Sequence, residues 1–262
     1  MDKLLFEIIP NLHHIEQSLE LAEIYDVGFE YNDFMMPHIL DQEQVCRDRI
    51  LFYKNLGRNC SQDTLHGAFL DIVLHSTDDL IRKVSEKRVY QTMQIAEELG
   101  VRGVVFHTGL IGNFHAGYYT ERWLDLNVKF WMKTLEDFPH TEVYLENMFD
   151  EEADRCIMLA EAMASEPRFG LCLDYAHAMA FGRRQDGASW FRQAAPYVKH
   201  MHINDNDLKD DLHLPVGDGC IDWTQFANLL EECRPKASVL VEVSKCSAQK
   251  KSLEYLRAMG LV

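Results

Sequence analysis

Residues 170–177 read Gly-Leu-Cys-Leu-Asp-Tyr-Ala-His, an apolar run that ends on Asp174, with His177 three residues further on. Bare apolar runs of this length suit strands of a parallel sheet, which are buried on both faces and lack the polar alternation of a half-exposed sheet. Working outward, the same design recurs along the chain. Candidate strands are Leu4–Ile9, Val27–Tyr31, Thr64–Phe69, Gly103–His107, Val143–Glu146, Gly170–Asp174, Val198–Ile203 and Ser238–Val243. Between them lie amphipathic segments. Asp79–Leu99 carries apolar residues at 80, 81, 84, 89, 93, 95, 96 and 99, with Gly100 placed as a C-cap. Met158–Met163, Trp190–Ala195, Trp223–Leu230 and Leu253–Met259 read as parts of further helices. Strand and helix in eightfold alternation predict an α/β fold, a closed (β/α)8 TIM barrel, with a doubly wound open sheet as the competing layout. No repeat, low-complexity tract or Pro/Gly-rich linker marks a boundary, so one domain over 1–262 is expected; α/β barrels often run near 250 residues.

The bulk numbers narrow the function. Hydrophobic residues make up 47% and charged residues 26%, an ordinary globular balance. Basic residues number 26 against 42 acidic, a net charge of -16, which argues against binding to a phosphate backbone. Seven cysteines stand at 46, 60, 156, 172, 220, 233 and 246 with no C-x-x-C pair, the pattern of reduced thiols. The N-terminal stretch MDKLLFEIIPNLHHIEQ turns acidic before any signal-length apolar run develops, and no segment approaches the roughly 20 apolar residues of a membrane span. A cytoplasmic protein without membrane contact is expected.

The chemistry concentrates at one position in each unit. Successive strands end in Glu30 (FEYND), His66 (LHGAF), His107 (VFHTG), Glu146 (YLENM), Asp174 (LCLDYAH), His202 (MHIND) and Glu242 (VEVS), with Glu7 a weaker case in the first. In a parallel barrel these positions converge on the C-terminal rim, where active sites of this fold sit. So many buried carboxylates and imidazoles need a counter-charge, and divalent cations supply one. Imidazole with carboxylate suits Zn, Mn, Co or Fe, and no cysteine falls in the set. Asp174-x-x-His177 places two ligand types past one strand end, and Asp211-Leu-His213 offers a second pair from the long loop NDNDLKDDLHLPVGDGCID at 204–222. Asp211 also reads as one solvated charge in an acidic loop with Asp205, Asp207 and Asp210. His13, His14, His38, His75 and His140 read as surface residues. His115, in the Gly- and aromatic-rich loop TGLIGNFHAGYYT at 108–120, is a candidate for substrate contact, and His200 sits one layer below His202. Phe69, Trp123, Phe149 and Phe181 are candidate pocket walls, against ordinary packing. Lys209, Lys245, Arg183 and Arg184 are the basic residues nearest the expected rim, with Lys245 a candidate substrate contact.

GLCLDYAH, HINDND, GDGCIDW at 217–223 and LEN at 145–147 together resemble the xylose isomerase-like barrel superfamily, which includes sugar isomerases, epimerases and endonuclease IV. The resemblance covers nearly the whole chain and implies two alternatives. Like endonuclease IV, the chain has a counterpart for each of nine ligands to three zinc ions: His66, His107, Glu146, Asp174, His177, His202, Asp211, His213 and Glu242. That set implies hydrolysis of a phosphodiester. The sugar branch implies one ion (Mn, Co, Mg or Zn) on Glu146, Asp174, His202 and Glu242, with the two Glu as opposed acid/base groups acting through an enediolate on a sugar, sugar phosphate or polyol. There His66, His107 and His177 would touch substrate. A lyase or dehydratase using the same enolate chemistry is a further alternative, and a non-catalytic sugar-binding barrel a fourth. FEYNDFMMPHIL at 29–40 bears no basic residue where endonuclease IV carries duplex-penetrating Gln and Arg, and Met148–Glu152 replace its small Gly-containing turn. GFEYND and GDGCIDW resemble the sugar branch instead, although Asp211-Leu-His213 stands where that branch usually has an Arg. The expectation drawn is a metal-dependent sugar isomerase or epimerase holding one ion, with up to three allowed, a phosphoesterase as runner-up, and homo-oligomers as in related barrels.

Overall fold

The computed structural model describes residues 4–183 and 186–262. Its strands are β1 (Leu5–Ile8), β2 (Gly28–Tyr31), β3 (Thr64–His66), β4 (Gly103–His107), β5 (Glu142–Glu146), β6 (Phe169–Asp174), β7 (Val198–Ile203) and β8 (Ser238–Val241). All pair in parallel in chain order, and β1 pairs with both β2 and β8, so the sheet closes and the open alternative is excluded. The helices are α1 (Ile15–Tyr25), α2 (Pro37–Leu40), α3 (Glu43–Asn55), α4 (Asp79–Leu99), α5 (Gly117–Asp137), α6 (Asp154–Ala162), α7 (Tyr175–Ala180), α8 (Gly187–Ala194), α9 (Trp223–Cys233) and α10 (Cys246–Ala258). α4 spans the expected Asp79–Leu99 and ends on Gly100 at φ 73, the left-handed C-cap that glycine adopts without strain. Leu80, Ile81 and Val84 nevertheless face solvent, so its buried stripe begins only with Ser85 and Val89. No helix among the described residues is long and apolar enough to cross a membrane.

The expected third strand ran to Phe69; β3 stops at His66. The Gly67 amide still donates to the Val105 carbonyl at 2.8 Å, but a Cβ on Gly67 would lie 2.3 Å from the Phe106 ring. Glycine is thus required where the chain passes over β4, and Leu70 at φ 59 then turns it away.

Apolar packing fills the layer between barrel and helices, with Trp123, Trp131, Phe106, Trp223 and Phe226 fully or almost fully buried. Trp123 belongs to that layer: its indole N–H donates to the Thr108 carbonyl at 2.9 Å, and it is not a pocket wall. The barrel interior is different. Because strand side chains alternate, Val105, Tyr144, Cys172 and His200 stack one layer below His107, Glu146, Asp174 and His202. Val105, Tyr144 and Cys172 form a small apolar cluster there. Glu7, Glu30, Thr64 and His200 form a buried polar one. Glu7 lies below the rim, tied to Arg102 at 3.0 Å.

Candidate metal centre

Each strand end delivers its side chain for a local reason. His66, His107, Glu146 and Asp174 are the last residues of β3 to β6, His202 is the last but one of β7, and Glu242 follows β8 directly. Asp174 caps α7: its Oδ1 accepts the His177 amide at 2.6 Å, which turns the two side chains of Asp-x-x-His to one place. The Asn147 side chain clamps this turn to β5, accepting the Asp174 amide and donating to its carbonyl, both at 2.9 Å. Asp211 and His213 arrive from the long loop, where His213 adopts φ 46.

Glu146 is the centre of the cluster and is 1% exposed. Its Oε2 lies 3.5 Å from His66 Nε2 and 3.4 Å from His107 Nε2. Its Oε1 lies 3.5 Å from both His177 Nδ1 and His202 Nδ1. Glu242 Oε2 stands 3.6 Å from His202 Nδ1. Asp211 Oδ2 lies 3.3 Å from His177 Nε2 and 3.0 Å from His213 Nε2. Three groups of donor atoms thus form, each within 4.8 Å internally: His66 with His107 and Glu146; Glu146 with Asp174 and His177; His177 with Asp211 and His213.

The nitrogens are oriented from behind. His66 Nδ1 meets the Gly67 carbonyl at 3.0 Å, His177 Nδ1 the Asn147 carbonyl at 2.9 Å, and His213 Nδ1 the Glu242 carbonyl at 2.9 Å. A ring nitrogen facing a carbonyl must carry the proton, so in the neutral form of each ring the lone pair is on Nε2, facing the cluster.

Metal-free, the cluster balances charge with protons. Burial opposes ionisation of Glu146, but the charges of His202 and His107 hold it well below the usual carboxylate range. Burial raises Asp174 to about 7, with His177 pulling down and Glu242 and Glu146 pushing up. Burial would lower His213, yet the Asp211 hydrogen bond and Glu242 raise it to about 10. His66 and His177 are also raised, each against burial, by the neighbouring carboxylates, and His202 by Cys172 and then Glu30, Glu146 and Glu242. Even so, Glu146 Oε2, Asp174 Oδ2, His177 Nε2, His202 Nδ1 and Asp211 Oδ1 are buried without a hydrogen-bond partner. Orphaned donors of mixed N/O type, aimed at one another across 3–4 Å gaps, fit divalent cations such as Zn, Mn or Co, which would displace the imidazole protons.

The structure therefore gathers all nine residues His66, His107, Glu146, Asp174, His177, His202, Asp211, His213 and Glu242. It does not bring His115 or Lys245 to them. His115 is exposed and faces Glu151 at 3.5 Å, and Lys245 is exposed at the start of α10. Asp211 is no free surface charge. Glu30 does not face the rim opening: it is fully buried beneath His202, against His200. His75, read as a surface residue, is buried, with Nε2 2.9 Å from the Tyr119 hydroxyl. Phe69 packs on the rings of His66 and His107, and Phe181 on His177 and the half-exposed Phe149. Arg183 is committed to Glu151 and Glu152, and Arg184 lies outside the described residues. Asn147 and Asp205 were missed. Asp205 is fully buried and accepts from the amides of Gly217 at 2.9 Å and Ile221 at 3.1 Å. Cys172, outside the expected set, has its thiol near His200 and His202.

A model of the xylose isomerase-like TIM barrel family matches residues 21–259. The probable endonuclease 4 of Aquifex aeolicus (strain VF5) is 26% identical over 188 residues, which are 64% of this chain and 65% of that protein. A Thermus thermophilus protein solved after soaking with ZnCl2 is 25% identical with a TM-score of 0.71, covering 99% of this chain and 98% of its own. A D-tagatose 3-epimerase-like protein superposes with a TM-score of 0.72 at 19% identity, covering 97% of this chain and 96% of its own, a likeness of fold.

Proposed function

The chain belongs to the xylose isomerase-like TIM barrel family, and from that premise we propose that it is a metal-dependent hydrolase of phosphate esters with a centre for about three divalent ions. The observation that carries this reading is the double use of Glu146, whose Oε2 faces Nε2 of His66 and His107 while its Oε1 faces Nδ1 of His202. A carboxylate placed in this way would serve two neighbouring cation positions. Asp211, with His177 and His213, offers a third. Asp174, His202 and Glu242 complete the middle position. A one-ion site would use His66, His107 and His177 only as substrate contacts and would leave the close Asp211–His213 pair, 3.0 Å apart, outside the centre. When bound, such ions supply Lewis acidity toward a phosphoryl oxygen and make water more acidic. The chain's own residues hold the donors rigid through the backbone bonds of the three histidines. Phe69 packs on His66 and His107 and Phe181 on His177, giving that side of the cluster an apolar wall. The net charge of -16 and the lack of a basic residue in 29–37 favour a small phosphate mono- or diester over duplex DNA.

A second reading, isomerisation or epimerisation of a sugar or polyol, is favoured by one observation. Glu146 and Glu242 approach the same nitrogen, His202 Nδ1, from different strands, at 3.5 and 3.6 Å. Two carboxylates so placed suit proton removal and return α to a carbonyl, with one ion on Glu146, Asp174, His202 and Glu242. The test is to load the protein with Zn or Mn and assay small phosphodiesters, phosphomonoesters, an abasic-site duplex and a ketose panel in deuterated water. Release of phosphate or alcohol from a small ester supports hydrolysis. Deuterium incorporation at a ketose carbon without ester cleavage supports the second reading and overturns the first.

A further inference from the structure

His202 differs from His66, His177 and His213, each of which has a backbone carbonyl behind its ring. Behind His202 stands a side chain, and a chain of side chains stands behind that. The chain begins at Arg102, at the N-terminal end of the barrel, where a guanidinium nitrogen reaches both Glu7, at 3.0 Å, and the Ser238 hydroxyl. Ser238 Oγ is 2.6 Å from His200 Nδ1. His200 Nε2 is 3.1 Å from Glu30 Oε2. His202 Nε2 is 3.3 Å from both carboxylate oxygens of Glu30, while its Nδ1 faces Glu146 and Glu242. Glu30, His200 and His202 are fully buried and Ser238 almost so, so no solvent rearranges these bonds.

The polarity of these bonds follows from Glu30. An ionised carboxylate only accepts, so His200 and His202 each present an Nε2 proton to it. A neutral His200 protonated on Nε2 has its lone pair on Nδ1 and takes the Ser238 hydroxyl proton there. Ser238 in turn accepts from Arg102, whose guanidinium only donates. We propose that Glu30 is a positioning residue, the last link of an Arg102–Ser238–His200 relay that locks His202 in the Nε2–H tautomer with its Nδ1 lone pair directed at the middle cation position. The inference rests on the metal-centre reading above and adds what selects the ligating atom of His202.

The test uses Glu30→Gln and Ser238→Ala beside the parent protein. Each is titrated with Zn against a competing chelator, with histidine-15N spectra of the ring nitrogens (His202 identified by its loss in His202→Gln). Glutamine places an N–H donor behind His202 and favours the opposite tautomer, which cannot ligate through Nδ1. The expected result is Zn binding about 10–100-fold weaker in Glu30→Gln, as for other groups that orient a ligand from behind. A smaller loss is expected in Ser238→Ala, which alters the relay two bonds from the ligand. With Zn bound, His202 should be Nε2-protonated in the parent and not in Glu30→Gln. Thermal midpoints in chelator should stay close to the parent's, separating tautomer control from damage to the fold. If the parent binds Zn but both variants bind it as tightly, with His202 still ligating through Nδ1, the relay is refuted and the metal centre stands. If the parent binds no divalent ion, both fall together.

Discussion

Asp205 accepts the indole N–H of Trp223 at 2.8 Å. The same carboxylate takes the amides of Asn206, Gly217 and Ile221, at 2.9, 2.9 and 3.1 Å. One buried side chain thereby joins the two motif fragments HINDND and GDGCIDW and closes the loop that carries Asp211 and His213. Gly219 is part of the same device, since a Cβ there would lie 2.3 Å from Asp205 Oδ1. Asp205→Asn turns an N–H donor toward other donors, and leaving a buried donor unpaired costs about 1–3 kcal/mol. The expected outcome is a lower thermal midpoint and loss of one bound ion, that of the His177, Asp211 and His213 group, measured by calorimetry and elemental analysis. Unchanged ion content would show that the loop holds without it.

Glu146→Gln removes the charge that both halves of the centre share. The expected outcome is loss of the ions beside His66 and His202, and a fall in turnover of about 10²–10³, as when one preorganised electrostatic group is removed. Ion content of the purified variant checks the first part and single-turnover rates check the second. Retention of every ion would contradict the bridging role.

The strand ends were legible because period-two alternation and apolar runs together state which residue reaches the rim; that is how His66, His107, Glu146, Asp174 and His202 could be named. Asp174-x-x-His177 was legible because a capping turn is local. The depth of Glu30 was not, since alternation says which face a side chain takes but not what stands behind it. The burial of His75 was equally hidden: its cover is Tyr119, on a helix 44 residues later. Asp205 looked like one charge in an acidic loop because its partners come from a separate motif. The choice of chemistry was the least legible part. Both alternatives use Glu146, Asp174, His202 and Glu242, and only the placement of the other five residues separates them.

His75 gives the acid limb of stability a specific cause. Burial, with a smaller push from Arg122, lowers it to about 4 from 6.5. The folded state therefore binds fewer protons, so its contribution is full above about pH 6.5 and is lost as pH falls toward 4. Protonation also prevents Nε2 from accepting the Tyr119 hydroxyl. His75→Gln should flatten the fall of the thermal midpoint between pH 6.5 and 4; an unchanged slope would assign it to other groups.

Glu7 acts in the opposite direction. Burial raises it to about 8 from 4.5, against the pull of Arg102. A raised carboxyl binds more protons in the folded state, so its stabilisation is full below about pH 4.5 and is lost as pH rises to about 8, on the order of a few kcal/mol in all. Glu7→Gln should show a shallower decline in chelated stability from pH 6 to 8. A variant with the parent's slope would clear Glu7 of that role.

The most direct test of the account is the ion count of the protein itself, by elemental analysis after purification and again after loading with Zn and removal of excess. The nine-residue centre predicts about three ions per chain, with one lost in Asp211→Ala. One ion, unaffected by Asp211→Ala, would contradict the three-ion centre and point to the sugar chemistry; no ion that can be loaded would contradict the metal centre altogether.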